Sequence, residues 1–485
     1  MPFLTACATT FCIANSLFVG SGKSEGKSYR TRNVAKRFGG FVRALQITSQ
    51  QRGLATALYG ERRLIWSMIP NYTTFASQTM ADFERTLRPV IEAASQQFRV
   101  LLLTGQRQVG KSTLFRMLAE GTPRHYVSLD NLKFRKLAKE DPELFLQHNP
   151  PPVIIDEIQY APELFPYIKI YVDENREEKG AFWLTGSQKY SLMEGVQESL
   201  AGRIAIIELL GFSYCEKIKS PFSSQPFLPS MQKVKTPKKL TIKNVYKYIW
   251  EGSLPELVLN TKIDRERYYG SYVQSFIERD VKDFYNVSKP IQFFDFVSVV
   301  AAQTAQLLNY SSLARDVGID VKTAQSWMGI LERSGLVYLL YPYSPNITKR
   351  IIKTPKMYFL DTGLAAYLTR WLTPDALMNG AMSGAILETY VMAEILRSYL
   401  HHGIQPLMYL YRDTDQNEID IVLEQNGTLY PIEIKKTANP GLNDIKSFNA
   451  LHKLNKKVGL GAVLCLQPER IALSREAVSI PVWEI

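Results

Sequence analysis

Chemistry is concentrated at a few places in this 485-residue chain, and the clearest is Gly105-Gln106-Arg107-Gln108-Val109-Gly110-Lys111-Ser112, followed by Thr113. This is the complete pattern GxxxxGK[ST]. Its glycines let successive backbone N–H groups curl around an anion, and a helix opening at its end adds a positive dipole. Lys111 has the reach for the β- and γ-phosphates of a nucleotide, and the Ser112 hydroxyl is a ligand for Mg²⁺. Asp156 and Glu157 close the apolar run Pro151–Ile155. Asp156 is the expected partner of the Mg²⁺ hydration shell, and Glu157 the candidate to orient and deprotonate an attacking water. Ser187, at the end of Phe182-Trp183-Leu184-Thr185-Gly186, is placed to sense the γ-phosphate. Arg203 could lend charge to the transition state. The plain alternatives are a solvent-facing carboxylate at 157 and a surface ion pair at 203.

A second constellation lies near the carboxyl end. Glu418–Leu423 and Leu429–Lys435 flank Asn426-Gly427, a strong two-residue hairpin signal. Pairing Gln425 with Thr428 sets Asp420 opposite Glu433, with Lys435 on the same face. Ile419, Ile421, Ile432 and Ile434 then share the buried face. Facing carboxylates repel, so a divalent cation between Asp420 and Glu433 would reverse the sign of that interaction. Lys435 could orient a hydrolytic water or stabilise phosphate charge. The spacing Asp-x₁₂-Glu-x-Lys is the signature of PD-(D/E)xK nucleases, and Glu388 on an upstream helix offers another acid. The bland alternative is an exposed hairpin in which Glu433 pairs with Lys435 and Glu418.

These residues need elements to hold them. Short apolar strands at Val100–Leu103 and Tyr126–Asp130, within Pro151–Gln159 and at Phe182–Leu184 alternate with helical stretches through about Leu210. That pattern predicts a parallel sheet covered on both faces. Ala81–Ser95 reads as an amphipathic helix ahead of it. A helical region runs from Val245 to about Ser288, broken at Gly252-Ser253-Leu254-Pro255-Glu256. Ser311–Val317, the turn Gly318-Ile319-Asp320, the helix Val321–Ser334 and the strand Gly335–Leu340 then make a helix-turn-helix with a wing. Its second helix exposes Lys322, Gln325, Ser326 and Arg333, a weakly basic surface that suits a protein spacer as well as a DNA contact.

Composition sets limits. Of the net charge of +12, residues 1–67 hold ten Lys/Arg against two Asp/Glu, and residues 216–243 hold seven lysines against Glu216. The rest of the chain is left at −2, so bulk basicity does not argue for nucleic acid. Cys7, Cys12, Cys215 and Cys465 lack metal-ligand spacing and fit a reducing compartment. No stretch has the roughly 20 apolar residues of a membrane span. Residues 1–67, which could be an address segment, read as a disordered extension, with Met68 ahead of the first convincing element, as in an over-long gene start.

The chain as a whole resembles the bacterial and archaeal AAA+-type P-loop ATPases that carry a C-terminal domain of unknown function related to PD-(D/E)xK nucleases. The resemblance is carried by GQRQVGKST, VIIDEIQ, WLTGS, SLAGR, GSLPE, YVQSFIERDV, KMYFLDTGLAAYL and EIDIVLEQNGTLYPIEIKK, from about Ala81 to Trp483. It departs from that pattern in the N-terminal extension and in the lysine-rich insertion after Cys215. The implied fold class is α/β: a P-loop NTPase with a parallel sheet, then a helical and winged-helix region, then a small α/β restriction-endonuclease-like domain. The corresponding division is a disordered extension over 1–67, a P-loop ATPase domain over 68–215 and a lysine/proline-rich linker over 216–243. A helical region over 244–290, a winged helix over 291–345 and a nuclease-like domain over 346–485 complete it. The expectations are a cytoplasmic ATPase using ATP and Mg²⁺, with DNA or RNA and a homo-oligomer as further partners and no membrane. The alternative is a nucleotide-gated switch that recruits a protein and cuts nothing.

Overall fold

In the computed structural model the structure describes residues 84–187, 199–220, 223–232, 239–281, 289–346 and 354–485, all within the unit Ala76–Ile485. The expected extension over 1–67 and much of the 216–243 linker's lysine run (233–238) lie outside the described residues.

Five parallel strands form the first sheet: β1 (Val100–Thr104), β2 (His125–Ser128), β3 (Val153–Asp156), β4 (Phe182–Gly186) and β5 (Ile204–Glu208). Their order is β2-β3-β4-β1-β5. Period-two alternation divides the side chains between two cores. Leu101, Leu103, Ile154 and Trp183 join one, and Val100, Leu102, Val153, Ile155, Phe182 and Leu184 the other. Burial on both faces is why these strands read as unbroken apolar runs. The helices around this sheet are α1 (Arg88–Gln97), α2 (Lys111–Ala119), α3 (Leu132–Glu140), α4 (Pro142–His148) and α5 (Leu164–Glu174). Of the helix expected over Ala81–Ser95, residues 81–83 lie outside the described residues; α1 begins at Arg88, because Pro89 has no N–H and a fixed φ and belongs in a first turn.

A short α6 (Tyr214–Lys217) leads to α7 (Ile242–Glu251), α8 (Pro255–Leu259) and α9 (Arg265–Ser275), with a π-helical turn at Phe276–Val281. Next come α10 (Pro290–Ala302), β6 (Gln306–Leu307), α11 (Tyr310–Val317), α12 (Val321–Arg333), β7 (Val337–Leu340) and β8 (Lys356–Phe359). The three strands form one antiparallel sheet in the order β6-β8-β7. Asn309 and Asp320 cap α11 and α12 through their side chains, and Gly318 sits between them at φ +73°. The turn between the helices follows from those three residues.

The carboxyl-terminal part opens with α13 (Thr362–Leu368), α14 (Pro374–Asn379) and the long α15 (Ser383–Leu400). A mixed seven-stranded sheet follows: β9 (Met408–Arg412), β10 (Glu418–Gln425), β11 (Thr428–Ile434), β12 (Lys457–Val458), β13 (Gly461–Cys465), β14 (Ile471–Ala472) and β15 (Ala477–Pro481). Its order is β14-β15-β13-β11-β10-β9, with β12 beside β11. The hairpin pairs Gln425 with Thr428 and Ile421 with Ile432, the register that Asn426-Gly427 dictates. One expectation needs correction. The pairing of β10 with β9 shifts between Ile419 and Val422, so Ile419 packs with Val422 and Leu429 rather than with Ile421, Ile432 and Ile434. A bulge adds a residue and breaks strict alternation.

Candidate nucleotide site and acidic tail cluster

The glycine-containing turn leaves the carboxyl end of β1, where Gly105 takes φ +137° and Gly110 φ +91°. A Cβ on Gly105 would meet Leu209 O at 2.0 Å, so only glycine fits. Gly110 caps α2, which aims its positive end at the turn. Lys111 folds back and donates to the carbonyls of Gly105 and Gln106, both at 2.9 Å. Behind the loop, buried Arg85 donates to Val109 O at 3.1 Å, Leu210 O at 2.7 Å and Glu216 Oε1 at 3.0 Å. In front, Gln106 Nε2 donates to Tyr272 OH at 2.9 Å, and Tyr268 OH donates to Gln108 Oε1 at 2.6 Å. The loop is therefore gripped from α9 as well as from its own sheet.

Strand order brings the remaining groups to the same edge, because β4 lies between β1 and β3. Ser112 Oγ donates to Asp156 Oδ1 at 2.6 Å, Tyr126 OH donates to Asp156 Oδ2 at 2.6 Å, and Thr185 Oγ1 donates to Asp156 Oδ1. Glu157 stands just past β3 in the left-handed region, at φ +58°. Its carboxylate accepts from Gln159 Nε2 and, at 3.5 Å, from Ser187 Oγ. Burial pushes the Glu157 pKa up, while the nearby charge of Lys111 pulls the other way. Arg107 and Thr113 belong to the loop and to the first turn of α2. Thr185, Tyr126, Gln159 and Arg85 escaped the sequence reading, since no spacing marks a lone polar residue that bonds across strands.

Arg203 is not brought to this site in its own chain. It precedes β5, and its carbonyl accepts from the N–H of Val100 at the opposite end of β1. The guanidinium pairs with Asp173, at 2.5 and 3.0 Å. The reason is topological: β5 runs parallel to β1, so its start and the phosphate loop are a strand length apart.

In the tail, Asp420 and Glu433 are both buried rather than displayed on an exposed face. Asp420 Oδ2 accepts from the N–H of Ile434 at 2.9 Å, and Lys435 Nζ lies 2.6 Å from Glu433 Oε1. Glu388, from α15, accepts from Tyr358 OH at 2.7 Å. Lys356 Nζ stands among three carboxylates, 2.7 Å from Glu388 Oε1, 3.3 Å from Glu418 Oε1 and 3.4 Å from Asp420 Oδ1. Burial, and then the charge of Asp420, raise the pKa values of both Glu388 and Glu433. Burial alone would lower Lys356, but the surrounding carboxylates outweigh it and keep the ammonium charged. Among the described residues, no group of three or more His, Cys, Asp or Glu side chains is arranged as it stands to hold a metal ion.

A cleft of about 150 Å³ lies against the nucleotide loop, lined by Gly105, Ser187, Glu208, Arg333, Gly335 and Tyr338 among others. A larger cavity of about 410 Å³ lies between Tyr214–Cys215 and the Arg397–His402 end of α15, away from both sets of groups. Among the described residues, no helix is long and apolar enough to cross a membrane.

Residues 97–218 match the family model described as AAA domain. This stretch is similar to AAA domains, and it holds the GxxxxGK[ST] loop. Residues 242–375 and 383–485 match two domains of unknown function, DUF8612 and DUF4143. An uncharacterized protein of Mycobacterium tuberculosis is 28% identical over 393 residues, covering 80% of both chains, and one of Mycobacterium bovis matches to the same extent. Among solved structures, the Walker-type ATPase of Pyrococcus abyssi is similar, with 16% identity, 58% of this chain and 94% of that chain covered, and a TM-score of 0.37.

Proposed function

We propose that the protein binds and hydrolyses ATP with Mg²⁺ and couples its nucleotide state to a nuclease-like tail that engages DNA or RNA. The observation that carries the first half is the convergence of Lys111, Ser112, Asp156, Glu157, Thr185 and Ser187 at the carboxyl ends of β1, β3 and β4. The hydroxyl of Ser112 and the carboxylate of Asp156 are hard oxygen donors suited to Mg²⁺. An ion held by Ser112 and Asp156 would neutralise charge that develops on the phosphates. Lys111 exchanges two loop carbonyls for phosphate oxygens, an easy trade because the ammonium is already aimed along the loop. Gln159 and Ser187 orient the Glu157 carboxylate, whose raised pKa suits a group that must accept a proton from water. Lys111→Ala removes ATP binding in calorimetry. Glu157→Gln keeps binding but lowers steady-state phosphate release about 10²-fold; undiminished turnover in that variant refutes the assigned base.

For the tail, the reading rests on Asp420, Glu433 and Lys435 at nuclease-like spacing, with Glu388 joining them from α15. An ion there would be held by Asp420 and Glu433; Glu433 Oε2, buried without a hydrogen-bond partner, fits such a role. The order helix–strand–helix–helix–strand–strand over 290–359 supports a winged-helix unit between the ATPase and the tail. Metal-dependent cleavage of DNA or RNA by wild type, absent in Asp420→Ala, is the test. The second reading, a switch with a non-cleaving tail, is favoured by one observation: an ammonium already stands among the carboxylates.

A further inference from the structure

The tail cluster is formally short of positive charge. Glu388, Glu418, Asp420 and Glu433 face Lys356 and Lys435, four carboxyl groups against two ammonium groups. Glu433 is 8% exposed, its Oε1 is taken by Lys435, and its Oε2 has no hydrogen-bond partner. A buried carboxylate oxygen left without a donor is costly unless a proton or a cation reaches it. Lys356 cannot serve both ends. Its side chain, itself 8% exposed, is committed to Glu388, Glu418 and Asp420 at 2.7–3.4 Å.

Those distances suit an ammonium and not a metal. Mg²⁺ draws its oxygens to roughly 2.0–2.1 Å, and Mn²⁺ takes the same hard-oxygen donors. The oxygens around Lys356 would have to close in by about 1 Å, onto the volume its Nζ now fills. An ammonium and a divalent ion sharing Glu388 and Asp420 would also repel strongly, since both carboxylates are largely buried. The two occupants exclude one another.

We propose that Lys356 is the tail's built-in cation, a plug whose ammonium holds Glu388 and Asp420 closed against a divalent ion, which enters only when the lysine withdraws. This rests on reading the tail as a cation-binding, nuclease-like site. Lys356 acts through the carboxylates and is a positioning residue.

The test is a titration of the full chain with Mn²⁺ alone, without nucleotide, read by calorimetry and by the electron paramagnetic resonance of free Mn²⁺. Lys356→Gln gains one site per chain that binds Mn²⁺ at least tenfold more tightly than wild type, and the gain disappears in Lys356→Gln with Asp420→Asn. Equal or weaker binding in Lys356→Gln overturns the proposal, as does a gain that survives Asp420→Asn. Should Lys356→Gln fail to fold, acylation of wild type decides: Lys356 is protected without metal and labelled at saturating Mn²⁺. Protection at every Mn²⁺ concentration overturns the plug. The nuclease reading fails separately. If Lys356→Gln binds Mn²⁺ tightly yet cleaves neither DNA nor RNA, the plug stands and the nuclease falls. If wild type cleaves and Lys356→Gln leaves Mn²⁺ affinity unchanged, the reverse holds.

Discussion

At the candidate nucleotide site Asp156 accepts from Ser112, Tyr126 and Thr185. Three hydroxyl donors from three elements fix both carboxylate oxygens and set the rotamer before any nucleotide arrives. Arg203 makes the opposite case. Its partner Asp173 and its place at the far end of the sheet give it no route to a phosphate in its own chain, and its side chain is 29% exposed. Arg203→Ala therefore leaves ATP affinity within about twofold of wild type in calorimetry, and the melting temperature hardly moves, because solvent screens so exposed an ion pair. A tenfold loss of affinity would show that the guanidinium reaches the nucleotide.

The phosphate loop depends on a backbone conformation more than on its side chains. Gly105 at φ +137° brings its α-carbon against the carbonyl of Leu209, leaving no room for a methyl group. Gly105→Ala must move the loop or the start of the segment after β5. The expected result is loss of ATP affinity by about 100-fold or more together with a lower melting temperature, since strain of this kind costs a few kcal/mol. Unchanged affinity would mean that the loop binds phosphate in some other shape. In the tail hairpin the tight Asn426-Gly427 turn sets the register, and the bulge near Ile419 re-aims the strand where Asp420 and Glu418 meet Lys356.

Across the whole molecule, buried charged groups join the surroundings of the Gly105–Ser112 loop to α15. Arg85, behind the phosphate loop, pairs with Glu216, whose carboxylate lies 3.6 Å from His401 Nδ1 at the end of α15. The same helix carries Glu394, which accepts from the N–H of Tyr214 at 3.0 Å. Asp361, at the start of α13, accepts from Ser253 N at 2.6 Å, Ser253 Oγ at 2.7 Å and Tyr269 OH at 2.8 Å, tying the Gly252–Glu256 turn to β8. Burial drives the His401 pKa down to about 3, against 6.5 for a free imidazole, so the ring is neutral in the fold. Between those values the unfolded chain binds the extra proton. The stability this neutral ring contributes is full above about pH 6.5 and declines as pH falls towards 3, by at most ~1.4 kcal/mol per pH unit. His401→Gln should flatten the decline of the unfolding midpoint between pH 7 and 5; an unaltered slope would show that the ring does not titrate on unfolding.

Much of the candidate nucleotide site was legible in the residues alone. GQRQVGKS and VIIDE report it because a loop that wraps an anion and a strand that ends in a carboxylate are local solutions, written in consecutive residues. The hairpin register was legible for the same reason, since a two-residue turn sets every pair that follows. Only the tertiary structure decided what approaches from elsewhere. Thr185 and Tyr126 reach Asp156 because β4 and β2 flank β3, Arg203 is carried away because β5 runs parallel to β1, and Lys356 meets Asp420 from another sheet. Spacing along the chain records what neighbours in sequence can do together. Which distant side chains share one buried volume follows from strand order and packing, and no local pattern holds that information.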